Sequence, residues 1–166
     1  MHTVLLSLGS NLGDSLEILK NAICDIKNSQ GIESVTVSSF YKTKPVGYLD
    51  QDDFINLALM VKTKLTPLAM LDLGASLEQK YQRVRLFKDG PRTLDIDIIA
   101  YDNLVINTDT LTIPHPRLHQ RAFVLAPLNE IVPSYIISTF NKSIHTLYQE
   151  LDNSEKQGVQ LLNGQN

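Results

Sequence analysis

The N-terminal part of the chain alternates short apolar runs with stretches of helical periodicity. Residues 3–8 are almost entirely apolar, and a short run of this kind predicts a buried strand. After GSNLGD, leucine and isoleucine recur at spacings of three and four over 16–26, which predicts a helix capped by Asp14. Residues 32–41 are rich in β-branched side chains and roughly alternate, which predicts a second strand.

The middle of the chain continues with a long polar connection, a strand and a helix. Residues 42–53 are polar, contain one proline and one glycine, and are predicted to form a loop. Loops of this length inside a compact domain are more often functional than decorative. The apolar residues 54–61 predict a third strand. Thr66 and Pro67 predict the start of a helix that runs to about Tyr81.

The remaining elements define a fold class. A second polar loop over 82–92 leads into a predicted strand at 93–101, and a short strand and a helical stretch over 118–131 follow. The order β-α-β-β-α-β is typical of an α+β, ferredoxin-like sandwich, an antiparallel sheet with helices packed on it, here with an extra C-terminal strand and helix. We expect a single domain over 1–166, with a weakly patterned C-terminal tail at about 150–166. This architecture by itself indicates no function.

Composition narrows the class of protein. At 166 residues, 43% hydrophobic and 20% charged, the chain is expected to form one globular domain. Its net charge of −3 argues against a general nucleic-acid-binding protein. Cys24 is the only cysteine, which excludes a disulfide scaffold and a thiolate metal cluster. The chain has no apolar run of about 20 residues and no signal-peptide pattern at its start, so we expect a cytoplasmic protein without a membrane partner.

The arginines are concentrated in one part of the chain. All of them lie in the segment that begins with the second polar loop, namely Arg83, Arg85, Arg92, Arg117 and Arg121. Guanidinium groups bind phosphates in a bidentate manner, so the cluster is compatible with a phosphate-bearing ligand. A solvated basic face explains the cluster equally well at this point.

Two carboxylates follow the arginine-rich loop in the strand predicted at 93–101. Asp95 and Asp97 flank Ile96, and because side chains in a strand alternate between faces, both carboxylates leave the same face, roughly 6–7 Å apart. Like charges repel unless a cation lies between them, and Mg²⁺ accepts such oxygen ligands together with substrate phosphates. A solvated strand face, or an ion pair of Arg92 with Asp95, is the alternative.

Three further features are compatible with a ligand site without requiring one. Residues 9–13 lie between a strand and a helix, where phosphates often bind, but they are not a Walker loop and a tight turn also explains them. His115 lies between two prolines, beside Arg117 and Arg121, and is able to hydrogen-bond a phosphate. Asn56 interrupts an apolar strand, and a buried amide needs partners that a heterocyclic ligand would supply.

Several motifs resemble those of one enzyme family. KDGPRTLDIDII at 88–99 is similar to the signature of the 6-hydroxymethyl-7,8-dihydropterin pyrophosphokinases. Other segments match that family in order and spacing over nearly the whole chain: GSNLGD, SSFYKTKPVG at 38–47, FINLAL at 54–59, RVR at 83–85 and PHPRLHQRAFVLAPL at 114–128. The resemblance implies transfer of the β,γ-diphosphate of ATP to the hydroxymethyl group of a reduced pterin, with release of AMP, as a step of tetrahydrofolate biosynthesis.

The resemblance also implies roles for individual residues. It implies that two Mg²⁺ ions are bound by Asp95 and Asp97, and that these two residues act in catalysis together with the mobile-loop residues Arg83 and Arg92. Contacts to ATP are implied for Glu78, Arg85, Arg92, Ile98, Thr112, His115 and Arg121. A pterin pocket is implied that consists of Thr43, Val46, Phe54, Asn56 and Phe123.

The implied partners are ATP and 6-hydroxymethyl-7,8-dihydropterin, bound by a monomer that takes no nucleic acid. The chain departs from many family members at Asp89, where they carry a tryptophan, and it contains no tryptophan at all. Two alternatives stay open: a ferredoxin-like module that binds RNA or a nucleotide without catalysis, and a family member kept for protein interaction. The binding module would need exposed aromatic side chains on the sheet or an excess of basic residues. The family member kept for protein interaction would be expected to have lost charged residues of the site.

Overall fold

The computed structural model describes residues 1–45, 49–81 and 93–162. It is a mixed α+β structure built on an antiparallel sheet. The strands in chain order are β1 (His2–Ser10), β2 (Ile32–Val37), β3 (Tyr41–Thr43), β4 (Phe54–Thr63), β5 (Asp95–Tyr101), β6 (Ile106–Asn107), β7 (Thr112–Ile113), β8 (Ile136–Ile137), β9 (Lys142–Ser143) and β10 (Val159–Leu161). The α-helices are α1 (Ser15–Lys27), α2 (Pro67–Lys80), α3 (Ala122–Ile131), α4 (Ile144–Gln149) and α5 (Asn153–Gln157), and a 3₁₀ turn covers Leu118–Gln120.

The main sheet has the strand order β10-β3-β4-β1-β5, and all of its pairings are antiparallel. Strand β1 pairs with residues 55–63 of β4 along one edge. The other edge of β4 is therefore shared by β2, which pairs with its C-terminal half, and β3, which pairs with its first three residues. Strands β6 with β7 and β8 with β9 form two small separate ribbons.

Apolar side chains cover both faces of the sheet, because alternate residues of a strand point to opposite sides. The first face packs against α1 and α2, and its buried strand residues include Val4, Leu6, Leu8, Leu57, Leu59, Val61 and Ile98. The second face packs against the 3₁₀ turn, α3 and α4, and its buried strand residues include Leu5, Ala58, Ile99 and Ala100. Helices thus cover both faces, whereas the predicted βαββαβ core accounts only for the layer formed by α1 and α2.

The strand predicted over 32–41 is interrupted. Strand β2 ends at Val37 because Ser38 uses its side chain in the ladder: the Ala58 N–H donates to Ser38 Oγ at 2.8 Å, and the Ser38 N–H donates to the Ala58 carbonyl at 3.0 Å. The helix predicted over 118–131 is also divided, since Arg121 has extended backbone angles between the 3₁₀ turn and α3.

The C-terminal residues contribute to the sheet. Within the tail predicted at about 150–166, residues 153–157 form α5 and residues 159–161 form β10, which pairs with β3 at the sheet edge. Among the residues that the structure describes, no helix combines the length and the hydropathy that crossing a membrane requires.

Candidate active site

Polar residues occupy one end of the second face, beyond the part that α3 covers. Gly9 of β1 pairs with Asn56 of β4 on one side and with Asp95 of β5 on the other, while Ser7 pairs with Asp97. Because directly opposed residues of an antiparallel pair share a face, these side chains all leave the sheet on the same side. The same face carries apolar residues under α3, so the change from apolar to polar residues marks where the helix layer ends.

This polar end opens into a cavity of about 140 Å³. It brings together side chains predicted for the metal, for ATP and for the pterin. Among the described residues, its lining consists of Gly9, Thr43, Lys44, Phe54, Asn56, Asp95, Asp97, Arg117, Arg121 and Phe123.

The two aspartates lie on the cavity side of β5. Both are partly exposed, and the neighbouring Ile96 and Ile98 pack into the first core layer. Among the described residues, no group of three or more His, Cys, Asp or Glu side chains converges to hold a metal ion. Mg²⁺ commonly takes only one or two protein carboxylates and fills its octahedron with phosphate oxygens and waters, so Asp95 and Asp97 fit Mg²⁺ in the presence of a phosphorylated ligand.

Asn56 is the buried amide of the cavity and is held from two sides. It is 5% exposed, and its Nδ2 donates to Thr43 Oγ1 at 2.6 Å. On the other side lies Gly9, where an added Cβ would come within 2.4 Å of Asn56 Oδ1. The missing side chain at Gly9 therefore leaves the room that the Asn56 amide occupies.

The GSNLGD segment forms the tight turn that was one of its two interpretations. Gly13 has a φ of +79°, a left-handed conformation that favours glycine, and Asp14 Oδ1 then accepts the N–H of Glu17 at 3.3 Å. Asn11 ties this turn to the end of the loop predicted at 42–53, since its Nδ2 donates to Gln51 Oε1 at 2.8 Å and to the Asp52 carbonyl at 2.9 Å. The segment thus fixes the loop that precedes β4.

His115 is held as a neutral imidazole beside the cavity. Its Nδ1 accepts the main-chain N–H of Arg117 at 3.1 Å, so the neutral ring carries its proton on Nε2. The main-chain N–H of His115 donates to the Ile99 carbonyl at 2.9 Å. Burial, followed by the charges of Arg121 and Arg117, lowers the pKa of His115 to about 4, against a smaller opposing effect of Asp95. His115 is therefore a hydrogen-bond donor without charge at neutral pH.

Arg121 and Arg117 both line the cavity. The Arg121 guanidinium carbon lies 5.5 Å from the centre of the Phe123 ring, a distance at which cation–π attraction contributes. Neither arginine forms an ion pair within the parts of the chain that the structure describes. Two guanidinium groups without a carboxylate partner among those residues favour an anionic ligand in the cavity.

Arg117 and Lys44 are cavity residues that the predicted site does not include. Arg117 lies four residues before Arg121 in PHPRLHQR and two residues after the proline-bounded His115, which is the signal that would have found it. Lys44 follows Thr43 at the end of β3, but a single lysine in a polar loop carries no such signal.

Four described residues that were predicted to contact ATP do not line this cavity: His115, which lies beside it, and Glu78, Ile98 and Thr112. The Glu78 carboxylate accepts the N–H of Ile96 at 2.8 Å, which fixes it at the start of β5. The Ile98 side chain is 8% exposed and lies in the first core layer, on the opposite face of the sheet from the aspartates. Thr112 lies in β7, where it pairs with Asn107.

Four predicted residues, Val46, Arg83, Arg85 and Arg92, lie outside the described residues.

Comparison with known proteins identifies the family. The family model described as 7,8-dihydro-6-hydroxymethylpterin-pyrophosphokinase matches residues 5–133. The chain belongs to this family. This confirms the resemblance read from the sequence motifs, and it assigns the chain to the pyrophosphokinases, transferases of folate biosynthesis.

Curated relatives of this family match most of the chain. The 2-amino-4-hydroxy-6-hydroxymethyldihydropteridine pyrophosphokinase of Haemophilus influenzae is 43% identical over 137 residues, which cover 82% of this chain and 86% of that protein. The enzyme of the same name from Bacillus subtilis is 43% identical over 126 residues, covering 76% of this chain and 75% of that protein.

Solved structures support the fold. A triple mutant of Plasmodium falciparum HPPK-DHPS aligns with a TM-score of 0.72 at 18% identity, covering 90% of this chain and 44% of that chain. At this identity the likeness concerns the fold alone, and the chain spans less than half of the length of that protein.

Proposed function

We propose that this chain transfers the β,γ-diphosphate of ATP to the hydroxymethyl group of 6-hydroxymethyl-7,8-dihydropterin and releases AMP. The observation that carries the proposal is the set of side chains that line one cavity. The aspartate pair of β5, the guanidinium groups of Arg117 and Arg121 and the buried amide of Asn56 all line it, in a chain of the pyrophosphokinase family. A pterin needs a hydrogen-bonding group such as the amide, and a phosphate chain needs the charged groups, so a site for both substrates needs the two side by side.

The pterin occupies the end of the cavity next to β3 and β4. Asn56 and Thr43 offer amide and hydroxyl groups to its polar edge, and a site built to hydrogen-bond a ligand rejects analogues that lack those groups. Phe54 and Phe123 offer aromatic surface to its rings. Val46 completes this pocket in the proposal.

The phosphates occupy the end next to β5. Arg121 and Arg117 grip phosphate oxygens, and neutral His115 donates from Nε2. Because both transferred phosphates carry charge, the chain acts chiefly by positioning them and neutralising that charge. Further contacts in the proposal come from Arg83, Arg85, Arg92, Glu78, Ile98 and Thr112.

Asp95 and Asp97 would hold two Mg²⁺ ions together with the phosphates of ATP. When bound, the ions supply neutralisation of phosphate charge and fix the geometry of the phosphate chain. The pairing of Asp95 with Gly9 and of Asp97 with Ser7 holds the two carboxylates on a strand that is hydrogen-bonded to β1, so they are pre-organised for this task.

We further propose that the chain works as a monomer in the cytoplasm, without nucleic acid, and that β1, α1, β2 with β3, β4, α2 and β5 form a ferredoxin-like core. The strand order β4-β1-β5, with β2 and β3 on the far edge of β4, supports this description of the core.

The deciding experiment measures nucleotide products from Mg-ATP with and without 6-hydroxymethyl-7,8-dihydropterin. The proposal predicts AMP only when the pterin is present. ADP as the product would mean ordinary kinase chemistry. Nucleotide binding without turnover would support the alternative of a family member kept for binding alone.

Substitution of the aspartates tests their part in the reaction. Asp95→Asn and Asp97→Asn should each reduce kcat at least about a hundredfold, since each removes a negative charge that would hold the Mg²⁺ ions on which the phosphates depend. Both should keep the wild-type circular dichroism spectrum, because neither side chain lies in a core layer. Asp109→Asn, at an exposed aspartate outside the cavity, is the matched control, and near-normal turnover of either site variant would contradict the metal assignment.

A further inference from the structure

Glu130, near the end of α3, accepts hydrogen bonds from the short segment that joins β2 to β3. Its two carboxylate oxygens accept the Ser39 N–H at 3.1 and 3.0 Å, and Oε2 accepts the Ser39 hydroxyl at 3.0 Å. Oε1 also accepts the Tyr41 hydroxyl at 2.6 Å. One side chain thus accepts three donor groups from two residues, Ser39 and Tyr41, which lie 91 and 89 residues away in the chain.

This segment is where the sheet ladder is interrupted. Ser38 completes the ladder to Ala58, and Phe40 turns into the first core layer, where it is 8% exposed. Between them, the Ser39 N–H receives its acceptor from Glu130. Glu130 therefore supplies the hydrogen-bond acceptor for the main-chain N–H at the point where the ladder is interrupted.

Strand β3 begins directly after this segment and forms one wall of the cavity. Tyr41 lies opposite Asn56 in the ladder, and Thr43, two residues later on the same side of β3, accepts the Asn56 amide. A shift of Tyr41 along or away from β4 would move Thr43 and thereby release Asn56.

Another side chain of the cavity wall belongs to the helix that carries Glu130. Phe123 lines the cavity and lies seven residues, or two turns, before Glu130, so the two side chains share one side of α3. Glu130 consequently links the helix that supplies Phe123 to the strand that supplies Thr43.

The Tyr41 hydroxyl keeps its proton and so remains a hydrogen-bond donor to Glu130. Burial, with further effects from the hydrogen bond and the charge of Glu130, raises the pKa of Tyr41. The phenol therefore stays protonated over the working pH range, and a charged acceptor makes such a hydrogen bond stronger than a neutral one.

We propose that Glu130 is a positioning residue that sets pterin affinity by fixing β3 against α3. This inference rests on the proposed function, since it assigns the pterin to the Thr43, Asn56 and Phe123 end of the cavity. Glu130 itself does not line the cavity and acts through Ser39 and Tyr41.

The test compares equilibrium binding of the two substrates in the purified full-length chain. Glu130→Ala should weaken binding of 6-hydroxymethyl-7,8-dihydropterin about tenfold, the size expected for lost hydrogen bonds to a charged acceptor, and should leave binding of Mg-ATP unchanged. Glu130→Gln keeps an acceptor oxygen for Tyr41 and should recover most of the affinity. Steady-state kinetics should show the same split, a raised KM for the pterin with kcat altered much less.

A cycle with Tyr41→Phe separates positioning from general stability. The combined effect of Glu130→Ala and Tyr41→Phe on pterin affinity should be smaller than the sum of the two single effects, because Glu130→Ala already removes the hydrogen bond that Tyr41→Phe removes. Glu150→Ala is the control, since Glu150 is also an exposed glutamate that binds a neighbour, Lys142, and lies outside the cavity.

Two results would overturn the inference. One is a lower melting temperature with unchanged pterin affinity, and the other is an equal loss of affinity for pterin and Mg-ATP. Tyr41→Phe, which removes the hydrogen bond from Tyr41 to Glu130, carries the test if Glu130→Ala does not fold. A wild-type chain that binds no dihydropterin would refute the proposed function and this inference with it, whereas AMP formation by wild type together with unaffected variants would refute the inference alone.

Discussion

At the scale of single residues, Gly9 shapes the pterin end of the cavity by lacking a side chain. A Cβ at this position would lie 2.4 Å from Asn56 Oδ1, and Asn56 is held by Thr43 on its other side. Gly9→Ala should therefore displace the amide and raise the Kd for the dihydropterin about tenfold or more, by the loss of buried hydrogen bonds. Equilibrium titration with the pterin measures the change.

A second glycine provides the control for this substitution. A Cβ on Gly158 would have its nearest neighbour at 3.5 Å, an ordinary contact, and the φ of Gly158 is −73°. Gly158→Ala should keep pterin affinity within about twofold, in line with a surface change of at most about 0.5 kcal/mol. Equal effects of Gly9→Ala and Gly158→Ala would show that the contact with Asn56 does not control affinity.

His115 should make the protein less stable in acid. The folded pKa of His115 is about 4, below the ordinary value of 6.5, chiefly because of burial. Between these two values the unfolded chain binds a proton that the folded chain does not, so the free energy of unfolding falls as the pH falls through this window. His115→Gln removes this contribution, and the wild type should lose more stability than the variant between pH 7 and pH 4.5.

Urea unfolding of both proteins at several pH values measures this difference. Above pH 7 the two curves of stability against pH should run parallel, because His115 is neutral in both states there. If the two curves stayed parallel down to pH 4.5, the pKa of His115 would not be lowered in the folded protein. Because both proteins contain the same carboxylates, the difference between the two curves does not include the contribution of carboxylates that titrate in the same pH window.

At the scale of elements, β10 protects the sheet edge that carries Thr43. The Lys44 N–H donates to the Gly158 carbonyl at 3.2 Å, and the Leu162 N–H donates to the Phe40 carbonyl at 2.9 Å. Because these bonds recur at every second residue of an antiparallel ladder, the N–H of Gln160, midway between them, points at Lys42. The C-terminal residues therefore support β3, which forms one wall of the cavity.

Gln160→Pro tests this edge. Proline has no N–H and cannot join the ladder, so the free energy of unfolding should fall by about 1–3 kcal/mol. Gln160→Ala keeps the N–H at an exposed position and should change it by less than about 0.5 kcal/mol. Urea unfolding measures both values, and a Gln160→Pro variant as stable as the wild type would mean that β10 does not support β3.

At the scale of the whole molecule, the stability of the fold should report metal-dependent binding of ATP. A ligand present at a hundred times its Kd stabilises the folded state by about 2.7 kcal/mol, which for a chain of this size raises the melting temperature by roughly 5–10 °C. Mg-ATP should produce this shift, and ATP with a chelator should produce much less. Asp97→Asn should lose the Mg²⁺-dependent part, whereas an equal shift with and without Mg²⁺ would contradict the proposed metal site.

The whole fold also shows where prediction from the sequence succeeded and where it did not. The helix at 15–27 and the strand at 95–101 were predicted because their apolar residues recur with the period of the element that buries them. The interruption after Val37 was missed, since Ser38 replaces a main-chain group by its side chain and the sequence marks the change only by the shift of the apolar positions from Val35 and Val37 to Phe40. Arg117 was left out of the predicted site because its place in the cavity depends on how the 3₁₀ turn packs.

The sequence by itself determined the family, the order of the main elements and the common face of Asp95 and Asp97, because motifs and side-chain periodicity are local properties of the chain. Only the tertiary structure decided that Gly9 makes room for Asn56 and that Glu130 holds Ser39 and Tyr41. These pairs lie tens of residues apart, so their contacts depend on strand register and on the packing of α3, which no local pattern encodes.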